Sequence, residues 1–94
     1  MDFLHTDFSG GPKDVVIVNL DNQANVMLLD DTNFSAYKQG NSFKYYGGWA
    51  CGSPVRLSPP HYGHWHVVVD LGGNVGKVRA GVHFVRAVEQ GVLF

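Results

Sequence analysis

The sequence predicts an all-β domain: a small antiparallel β sandwich or partly closed barrel of about seven short strands with one short helical turn. Three observations predict it. Glycine, proline and Asn/Asp clusters cut the chain into short pieces with the spacing of an all-β fold. Residues 64–71 alternate, with Trp65, Val67, Val69 and Leu71 on one side and His64, His66, Val68 and Asp70 on the other. Residues 15–18 form an apolar, β-branched run suited to a strand.

Taken in chain order, residues 15–20 read as a central strand covered on both faces, because their apolarity is nearly continuous. Asp21, Asn22 and Gln23 supply turn chemistry, and residues 25–30, with Val26, Met27, Leu28 and Leu29, read as the hairpin partner. Residues 31–38 are the one helical piece. Asp31 can cap its first turn, Gly40 can end it, and Phe34 and Tyr37 share a face. Strands follow at 42–46 and 54–58, separated by a glycine corner at Gly47-Gly48 and closed by Pro59-Pro60. The alternating strand 64–71 then turns at Gly72-Gly73-Asn74 into a second alternating strand over 75–85. In that strand Val78, Ala80, Val82 and Phe84 face inward, and Lys77, Arg79 and His83 face outward. The domain is expected to span 1–87, with 88–94 as a C-terminal tail.

Composition narrows the function classes. Ninety-four residues hold one hydrophobic core. An apolar fraction of 45% beside 16% charged residues separates the chain from disordered ones, which cannot bury enough surface to offset chain entropy. Seven basic against eight acidic residues leave a net charge of -1, so nucleic acid is not the expected partner. Cys51 is the single cysteine, and the first residues carry neither the basic start nor the apolar run of a secretory leader, so a cytoplasmic location is expected. The longest apolar runs, 15–18 and 67–69, fall far short of the roughly 20 residues of a membrane helix, so no membrane partner is expected.

Several motifs in one order carry a resemblance: Asp30-Asp31-Thr32-Asn33-Phe34, Gly47-Gly48, Pro60-His61-Tyr62-Gly63-His64-Trp65 and Asp70-Leu71-Gly72-Gly73. Together they resemble a family of small bacterial β-rich proteins, a domain of unknown function found alone or fused to TIR domains. The likeness runs from about Met1 to Ala87. It implies a compact β fold and a module that elsewhere sits beside signalling or defence domains. It implies no activity, ligand or catalytic residue. In that family the positions resembling His61, Gly63, Trp65 and Asp70 are characteristic, whereas those of His64 and His66 need not be histidine.

Two constellations carry candidate chemistry. In a strand, His64 and His66 project from the same face, and His-x-His at that spacing can bind zinc, iron or copper. With His61 and Asp70 they make a candidate divalent-metal set, and the segment resembles part of the cupin metal motif, although glutamate is usual where Asp70 stands. The bland reading of the same residues is a solvated polar strand face. The second constellation is aromatic: Tyr46, Trp49, His61, Tyr62 and His64 form a candidate ligand-binding corner for a small molecule, glycan or protein segment. Cys51 does not sit in a cysteine-protease signature, and a triad of Ser53, His61 and Asp70 can be assembled only on paper. The expected function is therefore a noncatalytic ligand- or protein-binding module with no cofactor, linked by its resemblance to signalling or defence. The alternatives are a metal-dependent, cupin-like enzyme using the His-x-His site, and a purely structural or assembly protein. An exposed edge strand would allow a homodimer.

Overall fold

A computed structural model describes residues 3–86. The elements are β1 (Leu4–Gly10), β2 (Val15–Leu20), β3 (Ala24–Asp30), α1 (Asp31–Gln39), β4 (Tyr46–Ala50), β5 (Val55–Leu57), β6 (Gly63–Asp70) and β7 (Ala80–Val85). The strands form two antiparallel sheets, β1-β6-β3-β4 and β5-β2-β7, stacked as a sandwich that does not close into a barrel. The fold class predicted from the sequence is the one observed.

The space between the sheets is filled from both sides by one apolar cluster. Phe8, Val26, Leu28, Trp65, Val67 and Val69 come from the larger sheet, and Val16 and Val18 from the smaller. Register explains the set. Phe8 and Asp30 flank Trp65, Thr6 and Leu28 flank Val67, and Leu4 and Val26 flank Val69. The predicted inward set of β6 thus holds for Trp65, Val67 and Val69, while Leu71 lies just beyond the strand and packs half-buried at its edge.

The opposite face of the larger sheet is covered in turn by α1. Phe34 and Tyr37, three residues apart, are buried against Met27, Leu29 and Val68. A nine-residue helix is marginal in water by itself. Burying two large rings, each worth about 1.5–3 kcal/mol, is what holds it. Two-sided burial therefore belongs to β3 and β6. The sequence reading assigned it to β2, yet there only Val16 and Val18 are buried, while Val15 and Ile17 are half exposed on the outer face.

Four local readings differ from the structure. The chain does reverse after β2, but β3 enters the other sheet and pairs with β6 and β4, so the two strands are not a hairpin. Turn residues encode a reversal of direction, whereas pairing is decided by which faces need cover, and β3 needs it on both. The same holds at the Gly72-Gly73 turn, closed by the Asn74 amide on the Leu71 carbonyl at 2.9 Å. It leads across the sandwich to β7, which begins only at Ala80 and pairs with β2. Gly47 and Gly48 lie inside β4 rather than at a corner, and residues 42–45 precede the strand. Gly47 has φ 110°, and a Cβ there would meet the Val26 carbonyl oxygen at 2.2 Å, so this backbone approach requires glycine. Finally, the cap of α1 is Asp30, whose Oδ1 accepts from the Asn33 amide at 2.8 Å, and not Asp31. Gly40, with φ 76°, ends the helix as expected.

β1 was not read from the sequence as a strand, although Leu4, Thr6 and Phe8 alternate with His5, Asp7 and Ser9. The expected boundary at residue 87 and the tail 88–94 lie outside the described residues.

Candidate functional site

The outer face of the larger sheet divides into an apolar part under α1 and a polar part at the N-terminal end of that helix. Strand periodicity puts His64 and His66 of β6 side by side on this face. β1 runs antiparallel beside β6, with Asp7 opposite His66 and His5 opposite Val68, so both His5 and Asp7 join the same face. β3 runs directly into α1, and because Asp30 takes the capping role, Asp31 is left free to turn toward the histidines.

These five side chains form one continuous hydrogen-bonded line. His5 Nε2 lies 2.8 Å from His66 Nδ1, and His66 Nε2 lies 2.6 Å from Asp31 Oδ1. His64 Nδ1 reaches that same Asp31 oxygen at 2.6 Å, and His64 Nε2 reaches Asp7 Oδ2 at 2.7 Å. The acceptors assign the protons. Facing a carboxylate oxygen with each ring nitrogen, His64 is favoured as the imidazolium that donates from both. His66 donates Nε2–H to Asp31 and accepts from His5 on Nδ1. Phe34 lies nearly parallel to the His5 and His66 rings, with centroids at 4.3 and 4.2 Å, and Lys38 Nζ stands 4.6 Å from the Phe34 centroid.

The electrostatics follow from these partners. Hydrogen bonds to Asp7 and then to Asp31 hold the His64 imidazole above its ordinary pKa. Donation from His66 and then His64 holds the Asp31 carboxyl below its ordinary range, and His64 does the same to Asp7. His5 is shifted downward, first by burial and then by the neighbouring His66. The line is graded in exposure: the side chains of Asp31 and His64 are 65% and 40% exposed, whereas that of His66 is 10% exposed. One ligand-type atom from each of Asp31, His64 and His66 can be chosen so that all lie within 4.8 Å of one another.

The residues singled out from the sequence distribute differently. His64 and His66 come together, as their spacing requires. Asp70 shares their face but is buried farther along β6, where it accepts from the Tyr37 hydroxyl at 2.5 Å and the Gly72 amide at 2.9 Å. It ties α1 to the turn after β6, and burial followed by this bond pushes the Tyr37 hydroxyl pKa upward. His61 sits on the loop before β6, where its carbonyl accepts from Trp65 Nε1 at 3.2 Å and its ring lies 5.1 Å from the Trp65 ring. Neither residue bonds to the His64–His66 pair.

The aromatic corner is not gathered into one surface. Tyr46 stands edge-on to Trp65 with centroids 6.0 Å apart, on the side of β4 that faces the other sheet. Trp49, three residues on, emerges from the opposite face and donates to Gln23 Oε1 at 3.2 Å. Tyr62 is 75% exposed, beside Gly11, where an added Cβ would meet it at 3.4 Å. Ser53 Oγ accepts from the Leu20 amide and Cys51 is exposed near Gln23, so the paper triad of Ser53, His61 and Asp70 finds no support in their partners. The sequence reading missed Asp31 as a histidine partner because it assigned that residue to the cap. It missed His5 and Asp7 because the alternation around them is carried by Thr6, which does not read as apolar.

Among the described residues, no helix is long and apolar enough to cross a membrane. No curated protein and no solved structure matches the chain at a significant level. A family model does, over residues 1–88. Its span contains both sheets, the helix and every member of the His–Asp line, and the chain therefore belongs to DUF1883, a domain of unknown function.

Proposed function

We propose that this domain is a noncatalytic binding module whose recognition surface is the polar part of the outer sheet face, around Asp7, Asp31, His64 and His66. One observation carries the reading: His64 Nδ1 and His66 Nε2 both lie 2.6 Å from the same oxygen of Asp31. Three polar side chains from two distant chain segments converge on one point at the surface. The histidine hydrogen bonds hold Asp7 and Asp31 toward their ionised forms, so the line presents two carboxylates to solvent. It suits a cation or a ligand rich in hydrogen-bond donors.

Two features favour a binder over a cupin-like enzyme. The His-x-His pair projects away from the space between the sheets, and the inward face of β6 is filled by Trp65, Val67 and Val69. The focus of the line is also open to water, with Asp31 65% exposed, whereas a catalytic centre gains much of its electrostatic strength by excluding water.

A thermal-shift panel of inorganic cations, amines, sugars and nucleotides tests the reading on wild type and on an Asp7→Asn, Asp31→Asn double variant. Ligands that raise Tm in wild type are expected to lose that effect in the double variant. A panel with no stabilising compound, or with hits that persist in the variant, contradicts it.

A further inference from the structure

We infer that Asp31 Oδ1, His64 Nδ1 and His66 Nε2 bind one divalent transition-metal ion of the zinc class, with Asp7 and His5 orienting the two imidazoles from behind. The inference rests on the reading of this face as the recognition surface and names its ligand. Two imidazoles with one carboxylate form a donor set that suits zinc and its neighbours, whereas calcium and magnesium take oxygen ligands. A tetrahedral ion holds its ligands at about 2.0–2.1 Å, hence about 3.3 Å from each other. His64 Nδ1 and His66 Nε2 each lie 2.6 Å from Asp31 Oδ1, and one ligand atom from each of the three residues can be chosen so that all lie within 4.8 Å of one another, so a small rotation of the exposed Asp31 side chain opens the space.

The strongest support lies behind the ligands. A metal-bound imidazole needs its other nitrogen held by a partner that sets the tautomer and the ring plane. Here both are held. His64 Nε2 is on the Asp7 carboxylate at 2.7 Å, and His66 Nδ1 is on His5 Nε2 at 2.8 Å. Phe34, stacked over His5 and His66, fixes both rings. On binding, the ion takes the positions of the protons now shared with Asp31. His64 keeps its Nε2 proton on Asp7, and His66 takes onto Nδ1 the proton that His5 Nε2 donated, so that His5 Nε2 becomes the acceptor; of the two protons displaced from the ligand nitrogens, one goes to His5 Nδ1 and the other to water. Three protein ligands leave one position open toward solvent, on the side where Asp31 and His64 are exposed.

The test is titration of tag-free, chelator-stripped protein with Zn²⁺ against a chromophoric chelator, and with Co²⁺ followed by its visible spectrum. Wild type is expected to bind one equivalent of each, with the intense visible bands of four-coordinate Co²⁺. Asp7→Asn should weaken Zn²⁺ binding by about 10- to 100-fold, the usual cost of losing such an orienting partner. Asp31→Asn, which removes a ligand, should weaken it by more. Both side chains are exposed, so both variants should fold, as circular dichroism would verify; His61→Ala should leave binding unchanged. Absence of a stoichiometric site in wild type, or equal affinity in wild type and Asp31→Asn, overturns the inference. If Zn²⁺ fails to bind while another ligand's stabilisation is lost in Asp31→Asn, the metal is refuted and the recognition surface stands. If ligands bind but ignore both Asp variants, both fail.

Discussion

At His64 both ring nitrogens meet carboxylate oxygens, whereas at His5 the ring meets burial and another imidazole, and these opposite surroundings give opposite pH behaviour. His64 has a folded pKa above its ordinary value of 6.5, so its contribution to stability is full below that value and fades as pH rises through the folded pKa. Asp7 and Asp31 are depressed below 3.8, so theirs is full above that value and fades as pH falls through their folded pKa values. His5 is depressed below 6.5; its contribution is present above that value and fades as pH falls. Histidine ring NMR over a pH series should accordingly show His64 titrating above, and His5 below, a free histidine reference. The reverse order would contradict the assigned hydrogen bonds. Of these residues, His64 and His66 were legible as a pair because strand periodicity is local. Their partners were not, because Asp31 and Asp7 are separated from His64 by 33 and 57 positions and arrive only through sheet pairing and the helix start.

The junction of β3 and α1 is the element on which the site depends. Asp30 caps the helix through the Asn33 amide, and that single assignment aims Asp31 at the histidines. Asp30→Ala should lower stability by about 1 kcal/mol in urea denaturation and loosen the first helical turn. Asp31→Asn, which keeps the cap, should cost less; equal losses would place the cap elsewhere. Phe34 joins the helix to the sheet and the stack to the site. Phe34→Ala should cost about 3–5 kcal/mol and broaden the His5 and His66 resonances together. Stability within error of wild type would show that the helix is held by other contacts. The helix was legible in the sequence to within one residue at its start, because capping and the Phe34–Tyr37 spacing are local. The one-residue shift of the cap nevertheless decided which aspartate was free.

Across the whole molecule, the fold class, the inward residues of β6 and most strands follow from punctuation and alternation. The partners of those strands do not. β2 and β3 are adjacent in sequence and lie in opposite sheets, as do β6 and β7, because a sandwich is satisfied by covering apolar faces and not by pairing sequence neighbours. The aromatic corner dispersed for the same reason, since Tyr46 and Trp49, three apart on a strand, face opposite sides. The His–Asp line is a product of this topology, drawing β1, β6 and α1 to one end of one face. The most direct measurement is a backbone amide NMR map of uniformly labelled protein titrated with Zn²⁺. Shifts concentrated at residues 5–7, 30–32 and 63–67 are predicted, with those near Trp49 and Tyr62 unmoved. No shifts would refute the metal, and shifts centred on Trp49, Tyr62 or Cys51 would contradict the assignment of this face as the binding surface.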